Sequence, residues 1–305
     1  MVSMVVPAYN EEDRLTDMLD EAVAFLEENY STSGSSSKNT SSAVNLKHRK
    51  PTASSTPNGT HSTTTSKTSS STSTPSSTPT KGWEILIVSD GSTDRTVPLS
   101  LDYARTKLSH TPSSLRIITL ARNRGKGGAV THGLRHVRGQ YVGFADADGA
   151  SKFGDLAALI SACQAAEAKD PRRCAFAVGS RAHLVGSETV VKRSKVRNFL
   201  MHSFHLLLRL LTPPATSRVK DTQCGFKLFS RNALPFIVPH MHSEGWIFDV
   251  EMLMLAERAG VEMVEVPVGW HEVKGSKLNV VWDSLGMAWG LAILRAAWML
   301  GVYRT

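Results

Sequence analysis

The sequence predicts an α/β fold: a mostly parallel β-sheet covered by helices on both faces. Two observations predict it. Four apolar runs of strand length alternate along the chain with helical patterns, and these runs are apolar at nearly every position rather than at every second one. Strands of that kind are buried on both faces, which is typical of parallel sheets with helical connections.

The predicted elements follow one another regularly. The strands are the runs VSMVVPA (2–8), WEILIVS (83–89), LRIITLA (115–121) and QYVGFAD (140–146). The helical patterns extend over Glu11 to Glu28, Asp94 to Lys107, Gly127 to His136 and Lys152 to Ala168. This order favours helix-linked parallel strands in one sheet.

Residues 31–80 interrupt the alternation with a Ser/Thr/Pro-rich stretch. Such a composition cannot bury enough apolar surface to offset the entropy of ordering, so we predict a disordered insert. An exposed connection between a helix and a strand tolerates added length. The predicted organisation is one domain formed by 1–30 and 81–279, the insert at 31–80, and an amphipathic C-terminal helix at 280–305.

Much of the positive charge of the chain lies in the insert. The formal net charge is +8, and residues 31–80 contain five basic residues and no acid, which leaves 8 − 5 = +3 for the other 255 residues. A mild positive excess suits a phosphate-bearing ligand or an anionic membrane surface. It does not fit the strongly basic surface of a nucleic-acid-binding protein, so no nucleic-acid partner is expected.

Cysteine usage indicates the redox environment. Cys163, Cys174 and Cys224 are odd in number and have no CxxC spacing. This pattern predicts reduced thiols in a cytosol-facing protein rather than a disulfide scaffold. The sequence shows neither a signal peptide nor an apolar run long enough to span a membrane.

Polar clusters follow all four predicted strands, at the sheet edge where α/β proteins bind ligands. They are PAYNEE (7–12), SDGSTD (89–94), ARNRGKGG (121–128) and DADG (146–149). Helix caps and turns explain Asp94 and Gly91. Four clusters at one edge predict a shared ligand site.

Each cluster suits a different part of one ligand. Asp146 and Asp148 offer hard oxygen ligands for Mg²⁺ or Mn²⁺, which bridge phosphate oxygens. The RNRGKGG loop brings cations and backbone amides to a helix start, a seat for a diphosphate. It is not a Walker loop, because Lys126 is followed by Gly127 rather than Ser or Thr. Asp90 suits a hydrogen bond to a nucleobase or ribose. The set predicts a nucleoside diphosphate and a divalent metal.

Together these motifs resemble glycosyltransferase family 2, whose members bind nucleotide sugars in the Rossmann-like GT-A fold. Motifs of the second half are similar to the dolichyl-phosphate glucosyltransferases of that family. They are GSRAHL (179–184), DTQCGFKLF (221–229), GWIFDVEM (245–252) and HEVKGSKL (271–278). The resemblance extends over nearly the whole chain outside the insert.

The resemblance implies an enzyme that transfers glucose from UDP-glucose to dolichyl phosphate with inversion, for N-glycan precursor assembly. It places this enzyme at the endoplasmic reticulum membrane with the active site facing the cytosol, and makes 1–30 and 81–279 a GT-A catalytic domain. The implied donor-binding residues are Pro7, Tyr9, Glu11, Asp90, Arg122, Lys126, Gly127 and Asp146. The implied catalytic residues are Asp148, Asp221 and Lys277. The implied acceptor-binding residues are Arg181, Gln223, Lys227, Trp246, Glu251 and Ser276.

The sequence departs from the family pattern at two points. The N-terminal membrane anchor expected of this branch is missing. Ala150 stands where some polyprenyl-phosphate mannosyltransferases carry a glutamine that helps to hold the metal. The implied metal ligands are therefore Asp146 and Asp148.

The acceptor chemistry leaves the role of Asp221 open. A phosphate monoester has a second pKa of about 6 and is largely ionised at neutral pH, so a general base is hardly needed. Asp221 is the obvious base by position; our hypothesis is that it orients the acceptor site instead, through Lys227 or Arg231. Glu251 is either a competing carboxylate or a buried structural partner.

Two stretches of the sequence are suited to contact a lipid bilayer. Residues 195–211 form an apolar helical pattern with a basic start, too short to span a bilayer but suited to its interface. Residues 280–303 carry Trp282, Trp289 and Trp298, and tryptophan favours the headgroup region. The alternative is that both helices pack on the core or on each other.

Three other functions compete with this prediction. A dolichyl-phosphate mannosyltransferase using GDP-mannose differs only in the donor sugar. A non-catalytic nucleotide-sugar sensor would keep Asp90 and the phosphate loop but not need the D-x-D or acceptor motifs, which are intact here. A processive polysaccharide synthase is less consistent, because the sequence has no Q-x-x-R-W motif and no spanning helix.

Overall fold

A computed structural model of the chain describes residues 1–31, 82–111, 114–184, 195–271, 273 and 280–303. The insert predicted at 31–80 lies outside these residues except for Ser31, so its disorder stays a prediction. The strands are β1 (Val2–Ala8), β2 (Trp83–Ser89), β3 (Leu115–Thr119), β4 (Tyr141–Ala145), β5 (Ala175–Ser180), β6 (Phe226–Ser230) and β7 (Glu262–Pro267). The helices are α1 (Leu15–Tyr30), α2 (Thr96–Lys107), α3 (Gly125–Leu134), α4 (Leu156–Glu167), α5 (Lys195–Leu211), α6 (Pro214–Arg218), α7 (Leu234–Ile237), α8 (Phe248–Arg258) and α9 (Val280–Met299).

The strands form one mostly parallel sheet, which confirms the predicted fold class. Within the described residues its seven strands have the order β3-β2-β1-β4-β6-β5-β7. The first four strands pair in parallel, as do β5 and β7, whereas β6 runs antiparallel to both of its neighbours. The register joins Ala8 to Ser89 and Ser89 to Thr119, so these three strands end together at one edge.

Helices cover both faces of the sheet. One core cluster packs α1, α2 and α4 against the strands, and the other packs α3, α8 and the inner side of α9 against the opposite face. The central strands are buried on both faces, as β2 illustrates: all seven of its residues are buried. Continuous burial is the physical reason for continuous apolar runs.

The first helix begins later than predicted. Residues 11–14 form a turn, in which the Arg14 and Leu15 amides both donate to the Glu11 carbonyl. The start of α2 agrees better with the sequence, since Asp94 Oδ1 accepts a hydrogen bond of 2.9 Å from the Thr96 amide. Asp94 Oδ2 also accepts one from the Glu12 amide at 3.1 Å, so this side chain ties the ends of β1 and β2 together.

The C-terminal helix α9 packs against α5. Both helices were predicted from their apolar patterns, and α5 has the bounds 195–211 that the sequence indicated. No helix in the described part of the chain is long and apolar enough to cross a membrane.

Candidate active site

The strand ends bring all four predicted clusters into contact, since the Asp94 carboxylate already joins the first cluster to the second. Asp90 follows β2, the loop 122–124 follows β3, and Asp146 follows β4. The Asp90 carboxylate accepts a hydrogen bond of 2.7 Å from the Arg124 amide, and Lys126 forms an ion pair with Asp146. The predicted clusters therefore lie together at one edge of the sheet, while ligand binding there stays a prediction.

Asp90 supports the loop that follows β3. It is almost fully buried. Burial raises the pKa of the Asp90 carboxyl above its usual value, although the backbone N–H groups of Arg124 and Gly125 oppose that shift. Beside it, Gly91 has φ +70°, and a Cβ there would lie 2.8 Å from the Asn123 nitrogen. Glycine is required at this position because the two loops pass in backbone contact.

Asp146 and Lys126 form the centre of the site. Lys126 Nζ lies 2.6 Å from Asp146 Oδ1 and 5.8 Å from the centre of the Trp246 ring. Burial lowers the pKa of the Lys126 ammonium, but the charges of Asp146 and Asp249 outweigh burial and raise that pKa overall. A protonated lysine at this edge can neutralise a diphosphate.

The Asp146 carboxylate also fits a metal ligand. Its Oδ1 atom is buried beside the Lys126 ammonium, so this carboxylate lies where positive charge is stabilised. On its other side Gly225 of the DTQCGFKLF motif packs so closely that a Cβ would overlap the carboxylate. Within the described part of the chain no three His, Cys, Asp or Glu side chains form a group that could hold a metal ion, and the pair Asp146 and Asp148 stays a prediction.

Asp148 lies two residues further, beside a groove. Its Oδ1 atom accepts a hydrogen bond of 3.0 Å from the Ala150 amide, a turn that fixes the carboxylate. The groove, of about 520 Å³, is also lined by residues of α1 and by His271. The His271 amide donates to the Ala150 carbonyl at 2.9 Å. His271 belongs to the HEVKGSKL motif, but no role was predicted for it.

Asp221 pairs with Arg181 rather than with Lys227 or Arg231. Arg181 Nε and Nη2 donate to the two carboxylate oxygens at 2.7 and 2.9 Å, and the Arg181 amide donates as well at 2.9 Å. Burial raises the pKa of the Asp221 carboxyl, but these hydrogen bonds and the Arg181 charge outweigh it, so the pKa lies below its usual value. The predicted partners of Asp221 were wrong, because a bidentate guanidinium satisfies a buried carboxylate better than a single ammonium does.

Lys227 is fully buried, and its partner Asp249 is only 2% exposed. Its Nζ atom lies 2.5 Å from Asp249 Oδ1 and 2.6 Å from the Cys224 carbonyl. It also lies 5.5 Å from the centre of the Phe144 ring. These contacts make Lys227 a support behind the site, while direct acceptor contact stays a prediction. Asp249 was not predicted; its position two residues before Glu251 in the same motif was the available signal.

Glu251 has the contacts of the buried structural partner that the sequence left open. Its carboxylate accepts hydrogen bonds from the His242 and Ser243 amides at 2.8 and 2.9 Å, and from the Tyr303 hydroxyl at 2.5 Å. Every one of these donors would have to be displaced by a substrate that bound there. A direct contact between Glu251 and the acceptor stays a prediction.

The remaining predicted residues are at the rim of the site or beyond the described chain. Gln223 contacts Met287 of α9 through its amide nitrogen at 2.8 Å, and Arg122 is exposed. Glu11 is held by Arg14, and Gly127 packs against the 243–244 backbone. Pro7 is the last residue but one of β1, and Tyr9, directly after the strand, is exposed. Ser276 and Lys277 lie outside the described residues.

Comparison with solved structures identifies the fold. The crystal structure of glucosyl-3-phosphoglycerate synthase from Mycobacterium tuberculosis, in complex with Mn²⁺, UDP-glucose and phosphoglyceric acid, matches with a TM-score of 0.56 and 15% identity, covering 97% of this chain and 80% of that one. Mannosyl-3-phosphoglycerate synthase from Rubrobacter xylanophilus matches with a TM-score of 0.54 and 16% identity, covering 100% and 76%. The fold is that of the GT-A glycosyltransferases.

Comparison with characterised sequences identifies the family. The model of glycosyl transferase family 2 matches residues 71–234. The dolichyl-phosphate β-glucosyltransferase of Saccharomyces cerevisiae is 41% identical over 99% of this chain and 76% of its own length. Those of Drosophila melanogaster and Homo sapiens are 38% and 35% identical, over 99% of this chain and 77% of their lengths. The chain is a glycosyltransferase and belongs to the dolichyl-phosphate β-glucosyltransferases of glycosyltransferase family 2.

Proposed function

We propose that this chain transfers glucose from UDP-glucose to dolichyl phosphate in a single inverting displacement. The observation that carries the proposal is the sheet edge where Lys126 pairs with Asp146, two residues before Asp148, in a chain whose relatives share that acceptor and sugar by name. Dolichyl β-D-glucosyl phosphate would be the product, for N-glycan precursor assembly.

The donor side is built to hold a leaving diphosphate. Asp146 and Asp148 would hold a divalent ion, Mg²⁺ or Mn²⁺, which would supply positive charge to the diphosphate. Lys126 adds a second positive charge and is kept protonated by its carboxylate neighbours. Asp90 fixes Arg124 at the start of α3, the helix that carries Lys126, so its predicted contact with uracil or ribose would couple base recognition to that helix start.

The acceptor side needs little proton transfer. The phosphate monoester is already largely ionised at neutral pH, with a second pKa of about 6. Asp221 is itself ionised and held by Arg181 on two oxygens, which supports an orienting role over that of a general base. Arg181 keeps N–H donors that can meet an anionic acceptor, since a guanidinium carries five.

Exposed apolar residues support docking to a membrane. Trp282 and Trp289 of α9 are 72% and 70% exposed, and Leu285 and Ile293 are also exposed on that helix. The neighbouring helix α5 exposes Leu206 and a second leucine one turn later. Such a surface suits the interfacial region of a bilayer, where a lipid-linked acceptor would present its phosphate. We place the enzyme at the endoplasmic reticulum membrane with its site facing the cytosol.

The direct experiment is a donor competition. The purified chain is incubated with dolichyl phosphate, Mg²⁺ or Mn²⁺, and either labelled UDP-glucose or labelled GDP-mannose. We expect label in the lipid fraction with UDP-glucose and with no other donor. Preferential transfer from GDP-mannose would replace the proposed sugar, and absence of transfer from both donors would leave a non-catalytic nucleotide-sugar sensor.

A further inference from the structure

The residues that follow α9 return to the site. Tyr303 is buried, its ring is stacked on Trp298 at 4.9 Å, and it meets His242 edge-on at 5.2 Å. Its hydroxyl donates to Glu251, which is fully buried at the start of α8. The hydrogen bond between this buried hydroxyl and a buried carboxylate is a specific contact, and ending a helix does not require it.

Glu251 also binds the segment 242–246, so it connects Tyr303 with that segment. The same carboxylate accepts hydrogen bonds from the His242 and Ser243 amides, one on each oxygen. Tyr303 and the His242 amide share Oε1. Tyr303 therefore helps to fix the Glu251 carboxylate, which in turn binds the first two residues of this segment through their amides.

The segment 242–246 in turn packs directly against residues 124–128, which comprise Arg124 and the first turn of α3 and are called the donor loop below. The Gly128 amide donates to the Glu244 carbonyl at 3.2 Å, and Arg124 Nε donates to the Glu244 carboxylate at 2.7 Å. A Cβ on Gly127 would lie 2.5 Å from the Ser243 carbonyl oxygen, and one on Gly125 2.6 Å from the Glu244 carbonyl oxygen. With no room between the two backbones, a shift of one segment moves the other.

The segment also reaches the charged centre directly. Trp246 places its ring 5.8 Å from Lys126 Nζ, the group that pairs with Asp146. The contacts thus connect Tyr303, which follows α9, through buried Glu251 and the segment 242–246 to Lys126.

We propose that Tyr303 is a positioning residue for the donor loop, acting through Glu251 and the segment 242–246. The identity of the loop's ligand rests on the proposed function, whereas the mechanical link does not. Since α9 also carries the exposed tryptophans, the same link connects the surface proposed to dock on a membrane with the site that holds the donor.

The test compares Tyr303→Phe with a matched control in the full chain. Tyr303→Phe removes one hydroxyl and keeps the ring. Tyr141→Phe does the same to a buried tyrosine whose hydroxyl donates to buried Glu167 at 2.8 Å, at the start of β4 and away from the strand ends. Amide hydrogen exchange is followed in both variants, together with the KM for UDP-glucose and for dolichyl phosphate.

We expect exchange in 242–245 and in 124–128 to become faster together in Tyr303→Phe, by about tenfold or more, because a hydrogen bond to a charged group is lost. The KM for UDP-glucose should rise by a similar factor, with the KM for dolichyl phosphate unchanged. Tyr141→Phe should change neither. Unchanged exchange in 124–128 would overturn the proposal, even if 242–245 became faster.

A double-mutant cycle tests the same link by a second, kinetic measurement. Glu244→Gln alters an exposed side chain and weakens only the ion pair with Arg124. If Tyr303 acts through this segment, Tyr303→Phe should add little to the donor KM in the Glu244→Gln background, whereas independent effects would multiply and contradict the link. Absence of glucose transfer by the wild-type chain would refute the proposed function alone, since hydrogen exchange still reports the link.

Discussion

At the scale of single residues, the site depends on carboxylates that are each held by a particular partner. Asp221 is held by Arg181, Asp90 by the Arg124 amide, and Asp148 by the Ala150 amide. Holding each carboxylate in one orientation prepares the site for a ligand, because less freedom is lost on binding.

The lowered pKa of Asp221 predicts a pH dependence of stability. Its pKa is lower in the folded chain than in the unfolded chain, so the pair with Arg181 stabilises fully above the unfolded value of about 3.9 and is lost as pH falls through the folded pKa. The free energy of unfolding of the wild type should exceed that of Asp221→Asn at pH 7, and this difference should shrink below about pH 4.

Urea unfolding at several pH values measures the difference. Asp102→Asn, on the surface of α2 and largely exposed, is the control and should show no such loss. A difference between wild type and Asp221→Asn that grew towards low pH would contradict the pairing.

Gly225 predicts a steric effect on the proposed metal ligand. A Cβ at this position would overlap the Asp146 carboxylate, so Gly225→Ala should displace it and reduce glucose transfer by about tenfold or more. Gly286→Ala is the matched control, because a Cβ on Gly286 meets no atom within 4 Å. Initial rates of transfer measure both variants. Equal rates in Gly225→Ala and wild type would show that the carboxylate position does not matter.

At the scale of elements, the sequence predicted the first half of the sheet better than the second. Strands β1 to β4 are continuous apolar runs and were found within one or two residues of their ends. Strand β6 contains Lys227, and β7 contains two glutamates and has only one buried residue, so neither sequence resembles a buried parallel strand. Lys227 can be buried only because Asp249 of α8 pairs with it from another part of the chain.

The pair between β6 and α8 predicts a pattern of stabilities. Lys227→Met leaves Asp249 buried without its partner and should lower the free energy of unfolding by about 3–5 kcal/mol. The double variant Lys227→Met/Asp249→Leu removes both charges and should recover most of that loss. Guanidinium unfolding of the two variants measures the difference. A double variant no more stable than the single one would mean that the pair itself contributes the stability.

At the scale of the whole molecule, the exposed surface of α9 predicts reversible membrane binding. Replacing Trp282 and Trp289 by serine removes two large apolar groups and should weaken partition to anionic vesicles by about tenfold or more. Activity on a short-chain acceptor in solution should persist. Flotation with vesicles measures binding, and Leu101→Ser, an exposed leucine on α2, is the control. Equal flotation of the tryptophan variant and wild type would exclude this surface.

The candidate site could be predicted from sequence where it depends on chain order, and not where it depends on distant contacts. Asp90, Lys126 and Asp146 follow strands, and parallel strands end at one edge, so their proximity follows from order alone. The pairs of Arg124 with Glu244 and of Tyr303 with Glu251 join residues 120 and 52 positions apart, and no local pattern indicates them. They depend on how α8 and α9 pack.

The most direct measurement is the rate of glucose transfer from UDP-glucose to dolichyl phosphate by the wild-type chain and by Asp148→Asn, with Mg²⁺ or Mn²⁺ present. We expect transfer by the wild type and a loss of about a hundredfold or more in the variant, because the leaving diphosphate loses its charge stabilisation. Circular dichroism and the melting temperature should show that the variant is folded. Near-normal transfer by a folded Asp148→Asn would contradict a reaction at this edge of the sheet.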